Sequence, residues 1–405
     1  MLIKNSNKEK VHMLVHFIGI YILLLPFDCF RVGEFGSLLK LYSFVPVFYL
    51  LFTKRIKKIK YNKLFFIVLL YLFWVLLSCF FSINMAVSIS SFISLSLNIV
   101  FIIILSSLCS FNSSERNILL KYFIISSWVM VGCFFKFGSQ NYNGLSGRLV
   151  LAFEDGSVQD ANYANGYILF AFSYHAYRAI EKKSLINFLA MFVLLGVSFL
   201  TGSRGALLSF IVSLFLIIML SIKKSKHKIK ILLVVLLGFI VLYVGFIFVS
   251  EYLSSDLLTR FSFEYISEKG TTGRSRIWEE LLSKFKDASL FRKLIGWGYG
   301  TTRFLSTKGS FYTEGLVAHN LYIDNLTSIG VVGLLLQVFM QIECMKILLK
   351  SKNRMLICSF GAFIVMCLSL SLVNYKPIWV VMMMALILSN NNKTKRRKNN
   401  DKMDV

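Results

Sequence analysis

The sequence predicts an all-α polytopic membrane protein, a bundle of about 12 transmembrane helices with one large outer loop that contains an amphipathic helix. The 405-residue chain is 56% hydrophobic and has a mean hydropathy of +0.68. Apolar runs of about 20 residues, the length that spans the hydrocarbon core of a bilayer, recur along most of the chain. Such recurrence predicts repeated membrane crossings.

Apolar windows place the predicted spans in order along the chain. They lie at residues 11–27, 41–53, 64–82, 87–110, 118–138, 162–178, 185–201, 205–221, 231–250, 319–345, 355–372 and 377–389. The predicted regions are 1–250 with spans 1–9 and a medium outer loop at 139–161, a large loop at 251–318, spans 10–12 within 319–390, and a basic tail at 391–405. The first run lacks a small-residue cleavage site and contains Pro26, which predicts a retained helix.

The positions of the basic residues predict the orientation. The net charge is +25, and most of the 45 Lys and Arg residues lie in alternate connections and at the two termini. Because cytoplasmic loops carry this excess, we predict cytoplasmic N- and C-termini. Anionic lipid accounts for basic clusters such as residues 54–60, so we expect membrane lipid, and no nucleic acid, as a partner.

The cysteines indicate neither a disulfide framework nor a zinc site. All seven lie in or beside predicted spans without paired spacing. The outer segments contain no metal-ligand cluster. We therefore expect no metal and no cofactor.

The large loop contains two patterned segments. Apolar residues recur at helical spacing from Ile277 to Phe285, opposite charged residues. This predicts an amphipathic helix on the membrane or on the bundle. The following Gly-Trp-Gly-Tyr-Gly, residues 296–300, predicts a tight irregular turn, and it is not a dinucleotide fingerprint because no strand precedes it.

Two polar residues at the outer surface are candidates for chemistry. His319 is the one histidine predicted to face outward, and a neutral imidazole there could accept a proton from a hydroxyl group. The alternative is an interfacial histidine that caps or packs. Arg204 lies in a turn between two predicted spans; its small neighbours would admit a bulky anion, or it could simply anchor the turn at the headgroups.

Arg274 and Arg276 flank Ser275 at the expected N-terminus of the amphipathic helix, where the macrodipole disfavours cations. A bound phosphate would remove that conflict, whereas solvent screening is the alternative. Arg148 in the medium loop is a weaker candidate of the same kind. Arginines that stabilise a departing diphosphate, with a histidine that deprotonates the attacking hydroxyl, suit a lipid diphosphate substrate.

Several short segments, in this order, resemble the O-antigen ligase and O-antigen polymerase superfamily of bacterial envelope glycosyltransferases. They are Ser203-Arg204-Gly205-Ala206-Leu207-Leu208, Gly273-Arg274-Ser275-Arg276-Ile277-Trp278, Gly296-Trp297-Gly298-Tyr299-Gly300, Ala318-His319-Asn320-Leu321-Tyr322 and Ile329-Gly330-Val331-Val332-Gly333. Asp160-Ala161-Asn162 is similar to the family's Asp-Pro-Asn, although the proline is missing. The order and spacing match across about residues 145–335.

The resemblance implies a C-type glycosyltransferase-like bundle in the bacterial inner membrane, acting without a metal on undecaprenyl-diphosphate-linked glycans. Arg204 and Arg276 would bind the diphosphate with support from Arg274, and His319 would deprotonate or orient the acceptor hydroxyl. Further substrate contacts are expected at Arg148, Asn162, Asn320 and Tyr322. Asp324 departs from the family's usual apolar or amide residue, and a packed helix-end role is favoured over a second polar contact.

Within this resemblance we favour a polymerase of O-antigen, capsule or exopolysaccharide, because polymerases are the more numerous members. The alternative is a ligase that transfers the glycan to lipid A-core. A lipid-linked oligosaccharide flippase or other transporter is the alternative of another class, and a non-catalytic scaffold is a third reading. Transporters usually place charges or broken helices at mid-membrane, whereas the unusual charges here lie in outer loops. A chain-length regulator and a flippase are expected partners.

Overall fold

The computed structural model describes residues 12–30, 37–52, 62–99, 111–139, 147–152, 158–224, 229, 250–251, 253–262, 264–265, 274–306 and 316–400. Its helices in chain order are α1 Met13–Leu23, α2 Leu38–Phe52, α3 Lys63–Phe80, α4 Met85–Ile99, α5 Ser113–Phe137, α6 Ala161–Lys182, α7 Leu185–Leu200, α8 Arg204–Lys224, α9 Ser255–Thr259, α10 Arg274–Lys286, α11 Leu290–Ile295, α12 Leu321–Ser351, α13 Arg354–Met366 and α14 Lys376–Asn400, with 3-10 turns at Leu25–Phe27 and Thr302–Phe304.

The predicted fold class is confirmed as an all-α polytopic membrane protein. Within the described residues, 4 helices are long and apolar enough to cross a membrane: Lys63–Phe80, Ser113–Phe137, Arg204–Ile222 and Leu321–Ser351. Shorter apolar helices of 10–17 residues accompany them. The predicted span at 231–250 lies outside the described residues apart from Ser250, as do residues 100–110 of the fourth span and the end of the basic tail, 401–405.

The connections between helices form two groups, one at each end of the bundle. At one end Leu149 N donates to Leu200 O, Ile83 N to Trp297 O and Leu321 N to Cys367 O. At the other end His12 N donates to Glu115 Oε1 and Arg354 pairs with Glu181. This sorting agrees with the predicted alternation of the spans. We call the first group, which includes residues 201–203 and 367–371, the site end.

Residues between α5 and α6 form a small antiparallel sheet that the sequence did not predict. Strand β1, Gly138–Ser139, pairs with β2, Val150–Ala152, and β2 pairs with β3, Val158–Gln159. Strands of 2 or 3 residues are too short to show an alternating pattern. The sheet places Arg148, just before β2, against the turn between α7 and α8.

Helix α12 reverses direction at Gly330, where φ is 72° and ψ is −175°. The Tyr322 hydroxyl lies 3.1 Å from Gln341 Oε1. In a straight helix these residues would be about 28 Å apart, at a rise of about 1.5 Å per residue. The structure therefore divides the predicted tenth span, 319–345, into a short segment, 321–329, and a long helix that starts after Gly330.

The predicted irregular turn at residues 296–300 is confirmed, and it packs on this reversal. Gly296, Gly298 and Gly300 all have positive φ. Trp297 N donates to Thr327 O at 3.0 Å and Gly298 N to Ser328 O at 2.8 Å. A Cβ at Gly330 would lie 2.1 Å from Leu294 O, so only glycine permits this approach.

The predicted amphipathic helix is also confirmed, as α10. It lies on the bundle through Leu281, which is buried with Leu305 and Ala318 in a small second core. Trp278 of α10 donates its indole hydrogen to Ala318 O at 2.7 Å. This packing fixes the first turn of α10 beside the start of α12.

Candidate functional site

A cavity of about 200 Å³ lies at the site end. It is lined by Asn162, Gly202, Ser203, Arg204, Gly205, Arg260, Arg274, Trp278, Leu368, Ser369 and Leu370. These residues come from α6, the α7–α8 turn, α8, the large loop and the turn after α13. We call this cavity the arginine pocket.

Arg204 is the first residue of α8, and the tight turn before it aims that helix end at the pocket. Gly202 has a φ of 63°. Ser203 accepts hydrogen bonds from the first turn, through its hydroxyl from Ala206 N and through its carbonyl from Leu207 N. The Arg204 guanidinium lies over the Tyr265 ring at 5.7 Å. A helix N-terminus carries a partial positive charge, which adds to that of the arginine.

Arg274 is the first residue of α10 and reaches across the pocket. Its Nη1 donates to Ser369 O at 2.8 Å. Burial lowers the pKa of the guanidinium, and the nearby Asp160 carboxylate opposes that change. The charges of Arg204 and Arg260 lower the pKa further, because both guanidinium groups lie within electrostatic range of Arg274.

Arg260 follows α9 and is not among the predicted site residues. Its Nε donates to Gly202 O at 3.4 Å, and its side chain completes the wall of the pocket. It lies in none of the segments that carry the family resemblance. No sequence pattern distinguished it from the other basic residues of the large loop.

Arg148 lies behind the pocket and positions it. The side chain is buried, with Nε donating to Thr201 O at 2.9 Å and Nη2 donating to Asn162 Oδ1 at 3.1 Å. Burial lowers the pKa of this guanidinium, as does the charge of Arg260. Arg148 therefore holds Asn162, which lines the pocket, against the α7–α8 turn.

His319 lies beside the pocket because the residues before and after it in the chain form hydrogen bonds with pocket residues. Ala318 O accepts from Trp278, and Asn320 Nδ2 donates to Leu368 O at 3.2 Å. The backbone of His319 has a φ of 49°, in the left-handed region, which is uncommon for a non-glycine residue. Its Nδ1 atom is buried and has no hydrogen-bond partner among the described residues.

The surroundings of His319 favour its neutral form. Burial lowers the pKa of the imidazole below its ordinary value, and the charge of Arg274 lowers it further. The Asp160 carboxylate acts in the opposite direction. A neutral imidazole near pH 7 is able to accept a proton.

The remaining predicted residues do not line the arginine pocket. Arg276 is exposed on α10. Asn320 caps α12, its Oδ1 accepting from Tyr322 N at 3.0 Å. The Tyr322 hydroxyl contacts Gln341 inside the bundle, and Asp324 accepts a hydrogen bond from Thr302 at a second cavity. The structure thus brings Arg204, Arg274 and Asn162 together, with His319 adjacent.

The arginine pocket has the chemistry of an anion site. Three arginines and the N-terminus of α8 line it, and the described lining residues include no acidic side chain. Guanidinium groups offer paired donors to phosphate oxygens, and helix N-termini bind phosphate. Among the described residues, no group of three His, Cys, Asp or Glu side chains could hold a metal ion.

Residues 189–338 match the family model described as O-Antigen ligase. This region of the chain is similar to that family. The matched residues include Arg204, Arg260, Arg274 and His319, so the family region supplies most of the charged groups in and beside the pocket. The predicted resemblance to the O-antigen polymerase and ligase superfamily is confirmed. No curated protein matches the chain.

Members of the O-antigen ligase family are glycosyltransferase-like enzymes, and the family implies lipid-linked glycan substrates. A lipid-linked substrate must reach its site from the bilayer. The apolar helices provide the membrane setting, and the arginine pocket lies where several of these helices begin or end.

Proposed function

We propose that this protein is a polysaccharide polymerase of the bacterial inner membrane, working at the outer face. It transfers a growing glycan from undecaprenyl diphosphate to a lipid-linked repeat unit. The observation that carries this proposal is the convergence of Arg204, Arg260 and Arg274 in one pocket, with His319 beside it.

The donor diphosphate would lie in the arginine pocket. Two phosphates carry negative charge that increases on the leaving oxygen as the sugar–phosphate bond breaks. Preorganised cations at that position stabilise the transition state. Arg204 and Arg274 supply them from two helix N-termini, so the proposed step needs no metal.

The acceptor hydroxyl would approach from the side of His319. Its oxygen forms a bond to the anomeric carbon of the donor sugar, and the bond from that carbon to the diphosphate oxygen breaks. The bonding electron pair leaves with undecaprenyl diphosphate, and the hydroxyl proton passes to the imidazole. The lowered pKa of His319 keeps the imidazole available as the base.

One feature of the fold favours a transporter as the second candidate. Transporters use broken membrane helices to build binding sites, and α12 is broken at Gly330. Transport sites usually lie near the bilayer midplane, however, whereas the arginine pocket lies at the end of the bundle, among the connections between helices. The position of the charges therefore favours the transferase.

The first test uses a deletion strain complemented with Arg204→Ala, His319→Ala or Val193→Ala. We expect the first two variants to reach normal membrane levels and to stop polymer growth, leaving a single repeat unit on its acceptor. Val193, an exposed residue of α7, is the control and should give the full ladder on a gel. An unchanged ladder for Arg204→Ala and His319→Ala would defeat the mechanism. A bare acceptor with accumulated lipid-linked polymer would identify a ligase instead.

The second test separates binding from chemistry in purified protein. Arg204→Ala should weaken binding of undecaprenyl diphosphate. His319→Ala should bind it normally and transfer glycan about 10²- to 10⁴-fold more slowly, the usual contribution of a general base. Normal lipid diphosphate binding by Arg204→Ala would contradict the assignment of the pocket.

A further inference from the structure

A second cavity, of about 730 Å³, lies at the same end of the bundle. Its lining includes Ser371, which directly follows the arginine-pocket residues Leu368, Ser369 and Leu370, and Asn374, which lies further along the same connection. The turn after α13 therefore borders both cavities. Asp324, on the short segment that starts just after His319, also lines the second cavity.

The second cavity differs from the arginine pocket in chemistry. About half of its lining residues carry neutral hydrogen-bonding groups, among them Ser90, Ser91, Ser94, Tyr299 and Asn374, and most of the others are apolar. Its charged lining residues are Asp324 and Lys40, and its described lining includes no arginine. The volume is within the range of about 300–1,000 Å³ that is usual for ligand sites.

The polar groups of this cavity are held in place by the fold. Ser90 and Ser94 are one turn apart on α4 and so share a face. Asn374 Nδ2 donates to Ser94 Oγ at 3.1 Å, which ties the turn after α13 to α4. Gly300, with a φ of 79°, approaches so closely that a Cβ there would lie 2.4 Å from Ser91 Oγ.

Asp324 gives the cavity a carboxylate, a hydrogen-bond acceptor that the described lining of the arginine pocket does not include. Its carboxylate accepts a hydrogen bond from Thr302 Oγ1 and can accept others. A carboxylate accepts hydrogen bonds strongly from the hydroxyls of a sugar. Because Asp324 and Lys40 carry opposite charges, the described lining has no excess positive charge to attract a diphosphate. The two cavities are thus suited to different parts of a glycolipid substrate.

We propose that this second cavity binds the acceptor glycan, holding its terminal uncharged or amino sugars through the α4 hydroxyls and the Asp324 carboxylate. The inference rests on the proposed function and adds the place and chemistry of acceptor recognition. His319 lies at the start of the segment that carries Asp324, and that start is bonded to the α13 turn through Leu321 N and Cys367 O at 2.8 Å. Because the imidazole and the cavity belong to this same part of the chain, we expect an acceptor seated in the cavity to extend a hydroxyl towards His319.

A cysteine protection experiment on the full chain in native membranes tests this. Ser90→Cys places a thiol at the mouth of the cavity, where the native serine is exposed. Met85→Cys is the control, since Met85 is exposed on the same helix and does not line the cavity. The probes are oligosaccharide repeat units cleaved from the lipid carrier of the source cells and, separately, undecaprenyl diphosphate.

We expect the oligosaccharide to slow maleimide labelling of Ser90→Cys at least about fivefold and to leave Met85→Cys unchanged, with no protection by undecaprenyl diphosphate. Protection by undecaprenyl diphosphate alone would overturn the inference, because the cavity would then hold the carrier. Protection by neither probe, in protein that binds undecaprenyl diphosphate through Arg204, would overturn the inference and leave the proposed function intact.

Asp324→Asn should raise the KM for the acceptor and leave carrier binding unchanged; an unchanged KM would also count against the assignment.

Discussion

Helices α10 and α13 each begin with an arginine, and these two helix starts lie at opposite ends of the bundle. The two arginines have different surroundings. Arg354 starts α13 and pairs with the carboxylate of Glu181, which also accepts from Ser221 Oγ at 3.0 Å. Arg274 starts α10 and donates to a neutral carbonyl, that of Ser369, in a cavity lined by two more arginines.

The difference shows how the same local conflict is resolved in two ways. A cation at a helix N-terminus is disfavoured by the macrodipole. At Arg354 the protein supplies its own carboxylate. At Arg274 the other lining charges are also positive, so the surroundings suit an anion that comes from outside the protein. We therefore expect Arg354 to stabilise the fold and Arg274 to bind substrate.

Of these two arginines, Arg274 should have the larger effect on transfer when it is replaced by alanine. Removing one guanidinium aimed at the leaving diphosphate should lower kcat/KM by roughly 10²-fold, as loss of a single transition-state donor does. The melting temperature should change little. Arg276→Ala is the matched control, because Arg276 lies two residues away on the same helix, is exposed and does not line the pocket.

Rates measured with purified protein and lipid-linked donor rank the two variants. We expect Arg276→Ala to keep activity within a few-fold of the parent chain. A larger loss for Arg276→Ala than for Arg274→Ala would move the diphosphate to the exposed face of α10. The role first predicted for Arg276 would then hold.

The next effect is on stability, from Arg354→Ala. It would leave the half-buried Glu181 carboxylate without its cation, and loss of a hydrogen bond to a charged group destabilises a protein by about 1.5–3 kcal/mol. Transfer per folded molecule should be unchanged. Thermal unfolding in detergent measures the first quantity and a transfer assay the second.

The double variant Arg354→Ala/Glu181→Ala sharpens this result. Removing both partners should recover part of the lost stability, because no buried charge is then left unpaired. Equal losses in the single and double variants would show that Arg354 acts through packing and not through the ion pair.

Hydropathy predicted the helical bundle because spans of apolar residues have few alternatives in a bilayer. It could not predict the reversal at Gly330, since Gly330 lies inside an apolar run and hydropathy contains no information about φ. The amphipathic pattern predicted α10, because its apolar residues recur at helical spacing. The sheet at β1–β3 was missed because its strands are shorter than any periodic pattern.

The candidate site was predicted in part. Arg204, Arg274, Asn162 and His319 were identified from short segments that resemble a family. Their convergence depends on long-range contacts such as that of Asn320 with Leu368, which no local pattern contains. The family resemblance favoured Arg276 over Arg274. Residues two apart on a helix do not share a face, so only the orientation of α10 distinguishes them.

The smallest expected effect, from Asp160→Asn, tests whether a carboxylate acts on the site through space. Asp160 raises the pKa of His319, against the lowering by burial and by Arg274. Asparagine should still cap α6, where Asp160 Oδ1 accepts from Asn162 N at 2.7 Å, so the fold should be kept.

The base must be neutral, so the transfer rate should fall at low pH as the imidazole becomes protonated. Because the pKa of His319 is lowered, the midpoint of this fall should lie below the ordinary histidine value of about 6.5. Removing the Asp160 charge disfavours protonation further, so the midpoint in a pH–kcat profile should move to lower pH. Asp256→Asn, an exposed carboxylate of α9, is the control and should leave the profile in place. A midpoint that moves to higher pH, or that moves equally in both variants, would mean that the titrating group is not an imidazole held between Asp160 and Arg274.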